Sequence, residues 1–214
     1  MAVTPPSTAP SKTLTSRGLR TKQQLVAAAR TTFEKDGFAA TRITDIADAA
    51  GVAHGTFYTY FDSKEEIFRE VVVTVRESML RGPEERTSED DRPRIGTDPR
   101  ESIRRANRRY LEAYRDNHQL MVIWEEAATI NEDFREMLGE SRARFSERAE
   151  RAIRALQAAG RADATIDARY AAVALGAMVS KFAYIWFTGR EEFEFEQAVE
   201  QLTILWCGSI GLTD

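Results

Sequence analysis

Residues 41–64, TRITDIADAAGVAHGTFYTYFDSK, restrict the possible folds more than any other stretch of this 214-residue chain. Thr41 is placed to cap a short helix over about 42–49. Gly51 supplies the positive φ of a sharp turn, and a third helix follows over about 54–60. Ile46 and Ala47 face a small core, and the size of Ala47 lets the third helix cross closely over the second. Val52 and Phe57 lock that third helix onto its neighbours. What remains outside is a fixed row of small and polar side chains, Ala53, His54, Gly55, Thr56 and Thr59.

The flanking sequence is helical as well. Residues 1–19 read as a disordered arm, with Pro5, Pro6 and Pro10 among small polar residues. A helix is predicted from near Thr21, where Thr21 and Gln24 have capping-box spacing. Leu25, Val26, Ala29 and Phe33 repeat along it at helical spacing, and Asp36-Gly37 stops it. Ser63 and Glu66 form a second capping box, opening a helix through Ile67, Val71 and Val75 to about Arg81. The resulting division is a head over 20–66, a connecting helix over 67–81 and a flexible loop over 82–99. That loop holds three prolines and two glycines and has almost nothing to bury.

The remainder, 100–214, reads as a second helical domain. Ile103, Ala106, Tyr110 and Tyr114 form one stripe, and a short, strongly apolar helix follows from Leu120 to Ile130. Phe134, Leu138, Phe145, Ala149, Ile153 and Leu156 mark a long helix ending at Gly160, and two more cover 167–187 and 193–210. No alternating strand pattern is present. The expected fold is all-α, about nine helices in two domains.

Composition removes several function classes. The first seventeen residues lack an apolar run, so they do not form a signal peptide. No run approaches the roughly 18–20 apolar residues of a membrane span, which predicts a soluble, cytoplasmic protein with no membrane partner. One cysteine, Cys207, excludes an internal disulfide framework, and two histidines leave little for a His/Cys metal site, so no metal and no cofactor are expected. The net charge is −4, yet residues 1–60 carry seven Lys/Arg against four acids. A basic end on an acidic body suits a protein that meets nucleic acid with one face only.

Two helices joined by a glycine turn present the N-terminal half of the second helix to the major groove of DNA. Gly55 and Ala53 permit close backbone approach, while His54, Thr56 and Thr59 can reach bases or phosphates. Tyr58, Tyr60 and Lys64 can clamp a phosphate, and Thr44, Arg42 and Lys22 complete the expected contact set. Here the sequence resembles a known family. The run Thr41, Ile43, Ile46-Ala47, Ala50-Gly51-Val52, Gly55-Thr56-Phe57-Tyr58, Tyr60-Phe61 and Ser63-Lys64-Glu65 is similar to the signature of the tetracycline-repressor (TetR) family, over roughly residues 20–70. The resemblance implies an all-helical homodimer that binds a palindromic double-stranded DNA operator and is released by a small ligand in its C-terminal domain. It also implies DNA contact at Thr44, His54, Gly55, Thr56, Tyr58, Tyr60 and Lys64. Ala53 stands where Ser is frequent, and Thr44 where some members carry a base-reading Arg.

In the second domain, aromatic and Met residues are dense. Tyr110, Tyr114, Met121, Trp124, Phe134, Met137, Phe145 and Met178 are candidates to line an effector pocket, with Asn107, Glu125, Glu126 and Asn131 as polar anchors. Such a lining favours a lipophilic or planar effector, with an acyl-CoA or steroid-like ligand as a variant. The last two helices are apolar on more than one face. Tyr170, Val173, Ala177, Phe182, Trp186, Leu202, Leu205, Trp206 and Ile210 are the expected dimer contacts, because an isolated chain would leave them as an exposed patch.

Two other classes compete with a ligand-responsive repressor, besides an activator of the same build. An enzyme is disfavoured, since the chain has no catalytic residues in a recognisable arrangement: no Gly-rich phosphate loop, no Gly-x-Ser-x-Gly elbow and no His-Glu-x-x-His. A helical interaction module without DNA is the other, and the salt dependence of DNA binding discriminates it.

Overall fold

The computed structural model of the chain describes residues 15–80 and 98–213. The arm up to residue 14 and nearly all of the 82–99 loop lie outside them. The described residues form eight helices and no strand: α1 (Ser16–Ala40), α2 (Ile43–Ala49), α3 (His54–Phe57), α4 (Lys64–Leu80), α5 (Pro99–Ile130), α6 (Glu132–Ala158), α7 (Ala168–Thr188) and α8 (Phe195–Ser209).

The expected count of nine falls to eight because residues 99–130 form one continuous helix rather than two. Its polar middle does not break it: Asn117 donates to the Ala113 carbonyl at 2.7 Å, and no Gly or Pro interrupts the i to i−4 ladder. The first helix starts earlier than Thr21. Thr15 caps it, its Oγ1 accepting from the Gly18 N–H at 3.2 Å, while Thr21 spends its hydroxyl on the Arg17 carbonyl. Residues 16–19 therefore belong to a helix and not to the arm. The predicted stop at Gly37 is a kink with φ 74°. At the start of α4, the Glu66 N–H bonds to Ser63 Oγ while the Glu66 carboxylate accepts from the Asp62 N–H.

Leu25, Ala29 and Phe33 of α1 are buried against α2 and α4, as the helical spacing requires. This core does not stop at the head. Phe33 packs on Phe38 and Phe68, and those two meet Phe134 of α6, with Phe68–Phe134 ring centres 5.0 Å apart and Phe38–Phe134 5.4 Å. Removing a ring like Phe134, with no exposed surface, typically costs about 3–5 kcal/mol. A second, smaller cluster sits at the far end, where Ile153, Ala168, Ala172, Leu175 and Ile210 pack together.

Against the expectation from run length, α7 is long and apolar enough to cross a bilayer by length and composition. Its charged residues lie outside or singly within the apolar stretch. Ala172, Leu175, Val179 and Ala183 are nevertheless buried, and the helix packs along α6 and α5.

Candidate nucleic-acid interface

The turn between α2 and α3 is built from backbone hydrogen bonds. Gly51 has φ 66°, and the Val52 N–H reaches the Ala47 carbonyl at 3.1 Å. Ile46, Ala47 and Phe57 point inward and are fully buried. The residues expected on the outside are there: Arg42, Thr44, Ala53, His54, Gly55, Tyr58 and Thr59 are exposed, and Thr56 and Tyr60 are half-buried. Regular helix ends at Phe57, shorter than the expected 54–60, and the chain continues in tight turns through Thr59 and Tyr60. His54 and Tyr58 lie edge to face at 5.3 Å, and Tyr58 is 49 % exposed.

Gly55 stands apart from the turn glycines. Its φ is ordinary, and a Cβ built on it would meet no atom within 4 Å. Nothing inside the chain requires glycine there. A side chain at this position would meet no other part of the described chain. Ala53 is the N-cap of α3 and offers no side-chain acceptor to the first N–H groups.

Two of the expected cations are committed within the chain. The Lys64 ammonium donates to the Phe38, Ala39 and Thr41 carbonyls at 2.8, 3.3 and 3.0 Å. An ammonium has three donors, so the end of α1 takes them all. Lys22 pairs with Glu70 of α4 at 2.7 Å and lies over the Phe61 ring. Both fasten α4 to α1, a role that a surface-lysine reading of the sequence could not reveal. Arg42 remains exposed; its backbone N–H is held by the Asp45 carboxylate at 3.0 Å.

In the second domain, the residues expected to line a pocket divide into groups. Tyr110 and Tyr114 of α5 converge with Phe145 of α6 and Phe187 of α7, with ring centres 5.7–6.1 Å apart. Phe187 escaped the sequence reading because α7 is apolar almost all round. Met137 and Met178 are half-buried at the edges of the core, and Met121 is buried. Trp124 and Phe134 instead serve the junction between the domains: the buried Trp124 Nε1 donates to the Phe134 carbonyl at 3.1 Å. Asn107 turns toward α8 and donates to Thr203 Oγ1 at 3.3 Å, away from the aromatic group. Asn131 caps α6, Glu126 is exposed, and Glu125 pairs with Arg142 at 3.2 Å. Surface hollows open on the head, one of about 300 Å³ lined by Lys22, Val26, Arg30, Glu70 and Thr74 among others.

The outward face of α7 and α8 also needs a corrected register. Tyr170, Val173 and Ala177 are exposed, joined by Ile185, Ile204 and Leu205. Leu202 and Ile210, expected at a dimer contact, are 3 % and 1 % exposed and belong to this chain's own core. Phe182, Trp186 and Trp206 are half-buried against it. At about 100° per residue Ile204 lies nearly opposite the inward Leu202, while Leu205 sits roughly 60° from it, at the edge of the outward face. A helix apolar on all sides hides that phase from the sequence.

An all-helical chain with a helix-turn-helix head fused to a helical body is the build of a DNA-binding regulator. Residues 25–71 match the family described as bacterial regulatory proteins, tetR family, and residues 103–211 match the C-terminal domain of the transcriptional regulator EthR. The chain belongs to the TetR family of transcriptional regulators. It is similar to the HTH-type regulator YhgD of Bacillus subtilis, 34 % identical over 110 residues, or 51 % of this chain and 54 % of that one. It is also similar to the repressor KstR2 of Rhodococcus jostii, 43 % identical over 51 residues, or 24 % and 25 % of the two chains. The chain thus spans about half the length of the first relative and a quarter of the second. A TetR-like regulator from Rhodococcus sp. RHA1 shares the fold, with a TM-score of 0.65 and 24 % identity over 92 % of this chain and 99 % of that one.

Proposed function

We propose that this chain is a ligand-responsive transcriptional repressor that binds a palindromic operator as a homodimer in the cytoplasm and is released by a lipophilic small molecule. The observation that carries the reading is Gly55: an exposed glycine that its own fold does not need, in the middle of the row Ala53–Thr59 beside the Gly51 turn. Two such heads would meet successive major-groove faces about 34 Å apart. The relative KstR2, named as a repressor, supports the sign of regulation.

Coupling would run through the shared aromatic core. Trp124 holds the Phe134 carbonyl, the Phe134 ring touches Phe38 and Phe68, and Lys64 ties the Phe38 carbonyl to the start of α4. A shift of α5 and α6 on effector binding would therefore reach the segment that orients α2 and α3. A difference of about 1–3 kcal/mol between the two states is enough for release.

Selection of bound sequences from random DNA, followed by titration at rising salt, tests this. An inverted repeat should emerge, with affinity falling about 0.9 log units per phosphate contact for each tenfold rise in salt. No enriched sequence and a flat salt response would instead indicate a helical interaction module.

A further inference from the structure

Tyr114 is 1 % exposed, and its hydroxyl has no hydrogen-bond partner among the described residues. Folding takes that O–H out of water and gives nothing back, which protein interiors generally avoid. Among the described residues no other tyrosine hydroxyl is so placed. Its neighbour Tyr110, one turn earlier on α5, has Ser180 of α7 as a hydrogen-bond partner.

The surroundings are aromatic. The Tyr114 ring stacks 6.0 Å from Phe187 of α7 and lies 6.1 Å from Tyr110, which in turn meets Phe145 of α6 edge-on. Tyr110, Phe145 and Phe187 are only half-buried, so the group reaches toward the surface where the three helices meet. The charge felt at the Tyr114 hydroxyl is that of Glu125, which adds to burial in keeping the phenol protonated. Arg142, the cation beside that carboxylate, is mostly exposed and already paired with it.

Resting on the effector-responsive reading above, we propose that the Tyr114 hydroxyl is the polar anchor of the effector site, and that the effector is an uncharged lipophilic molecule presenting a hydrogen-bond acceptor such as a carbonyl oxygen. A neutral phenol in an apolar setting has a donor to offer, and an acceptor is what it lacks. A hydrocarbon would leave it unpaired. A carboxylate would bring a second negative charge toward Glu125 with no buried cation to receive it, a large desolvation cost. The rings of Tyr110, Phe145 and Phe187 would part to admit the apolar portion.

The test uses the full-length protein and two probes of nearly identical shape, 2-undecanone and decanoate, followed by tryptophan fluorescence. The ketone is expected to bind at least about tenfold more tightly than the acid, a difference of about 1.4 kcal/mol. In Tyr114→Phe the ketone should lose about tenfold in affinity, with the thermal midpoint at or above that of the wild type because an unpaired hydroxyl has been removed. Equal or tighter binding of decanoate, unchanged ketone affinity in Tyr114→Phe, or a midpoint lowered by several degrees would each overturn the assignment. Decanoate that binds and also releases operator DNA would leave the effector-responsive reading standing while removing this one. Binding of neither probe overturns both. The wild-type comparison of ketone with acid decides the charge question without any variant.

Discussion

The Lys64 ammonium lies 4.6 Å from the centre of the Phe38 ring and donates to the Phe38 carbonyl at 2.8 Å. One side chain at the first position of α4 thus closes the end of α1, with Ala39 and Thr41 carbonyls completing its shell. Thr41 adds to the same knot by donating its hydroxyl to the Gly37 carbonyl at 2.7 Å. This joint sets where α2 begins, and therefore how the α2–α3 pair is presented.

Lys64→Met is accordingly expected to destabilise the fold. It keeps the aliphatic stem and leaves three carbonyls at a helix end without their donor. Hydrogen bonds from a charged group contribute about 1.5–3 kcal/mol, and a loss in that range should appear in urea denaturation. A residue whose only task is to hold a phosphate would lower operator affinity and leave the urea midpoint unchanged. That outcome would refute the joint.

Gly55→Ala separates fold from function in the opposite direction. Open space surrounds the new methyl, and alanine is favoured over glycine in a helix by about 0.8–1 kcal/mol, somewhat less at an end. The variant should be as stable as the parent or more so, yet bind operator DNA more weakly, by about tenfold if the methyl displaces one good contact. Electrophoretic mobility shift alongside thermal melting gives both numbers. Undiminished DNA binding would move the interface away from Gly55.

The head was legible in the sequence because its constraints are local. A positive-φ glycine, the Ser63–Glu66 capping box and apolar residues at helical spacing each act over three or four positions, and Gly51, Ser63, Ile46 and Phe57 took up their expected roles. The tertiary role of Lys64 and Lys22 was not legible because their partners, the Phe38 carbonyl and Glu70, come from another helix. A single sequence does not register such tertiary pairs. The second domain failed for a related reason. In α7 and α8 large apolar residues lie on several faces, so periodicity gave these helices but not their rotation. Trp124 and Phe134 went to the domain junction, and Tyr110 and Tyr114 stayed together because they share one face of α5.

The corrected register of α8 can be tested with adjacent faces. Leu205 is half exposed whereas Leu202 is buried in this chain's own core. Leu205→Glu should leave the fold intact and shift the dimer toward monomer in sedimentation equilibrium, since an unpaired charge would be buried at the contact. Leu202→Ala should keep the dimer and cost about 2–5 kcal/mol of stability. If Leu202→Ala dissociated the protein while Leu205→Glu did not, the outward face would be the other one.

The buried tyrosines also predict an alkaline limit. Burial raises Tyr114 well above its ordinary value and raises Tyr110 as well, because the phenolate is the form disfavoured inside the protein. With a folded-state pKa above the unfolded one, the native state holds its protons more tightly. The associated stability is complete below the unfolded value near 10 and is lost as pH rises toward the folded values. Cys207, also raised by burial, adds a decline that begins about one unit lower. The urea midpoint should therefore be flat between pH 7 and 8 and fall steadily from about pH 9.5 upward. Tyr114→Phe removes one of the two tyrosine contributions and should flatten that fall; an unchanged slope would mean that Tyr114 ionises as readily in the folded protein as in the unfolded chain.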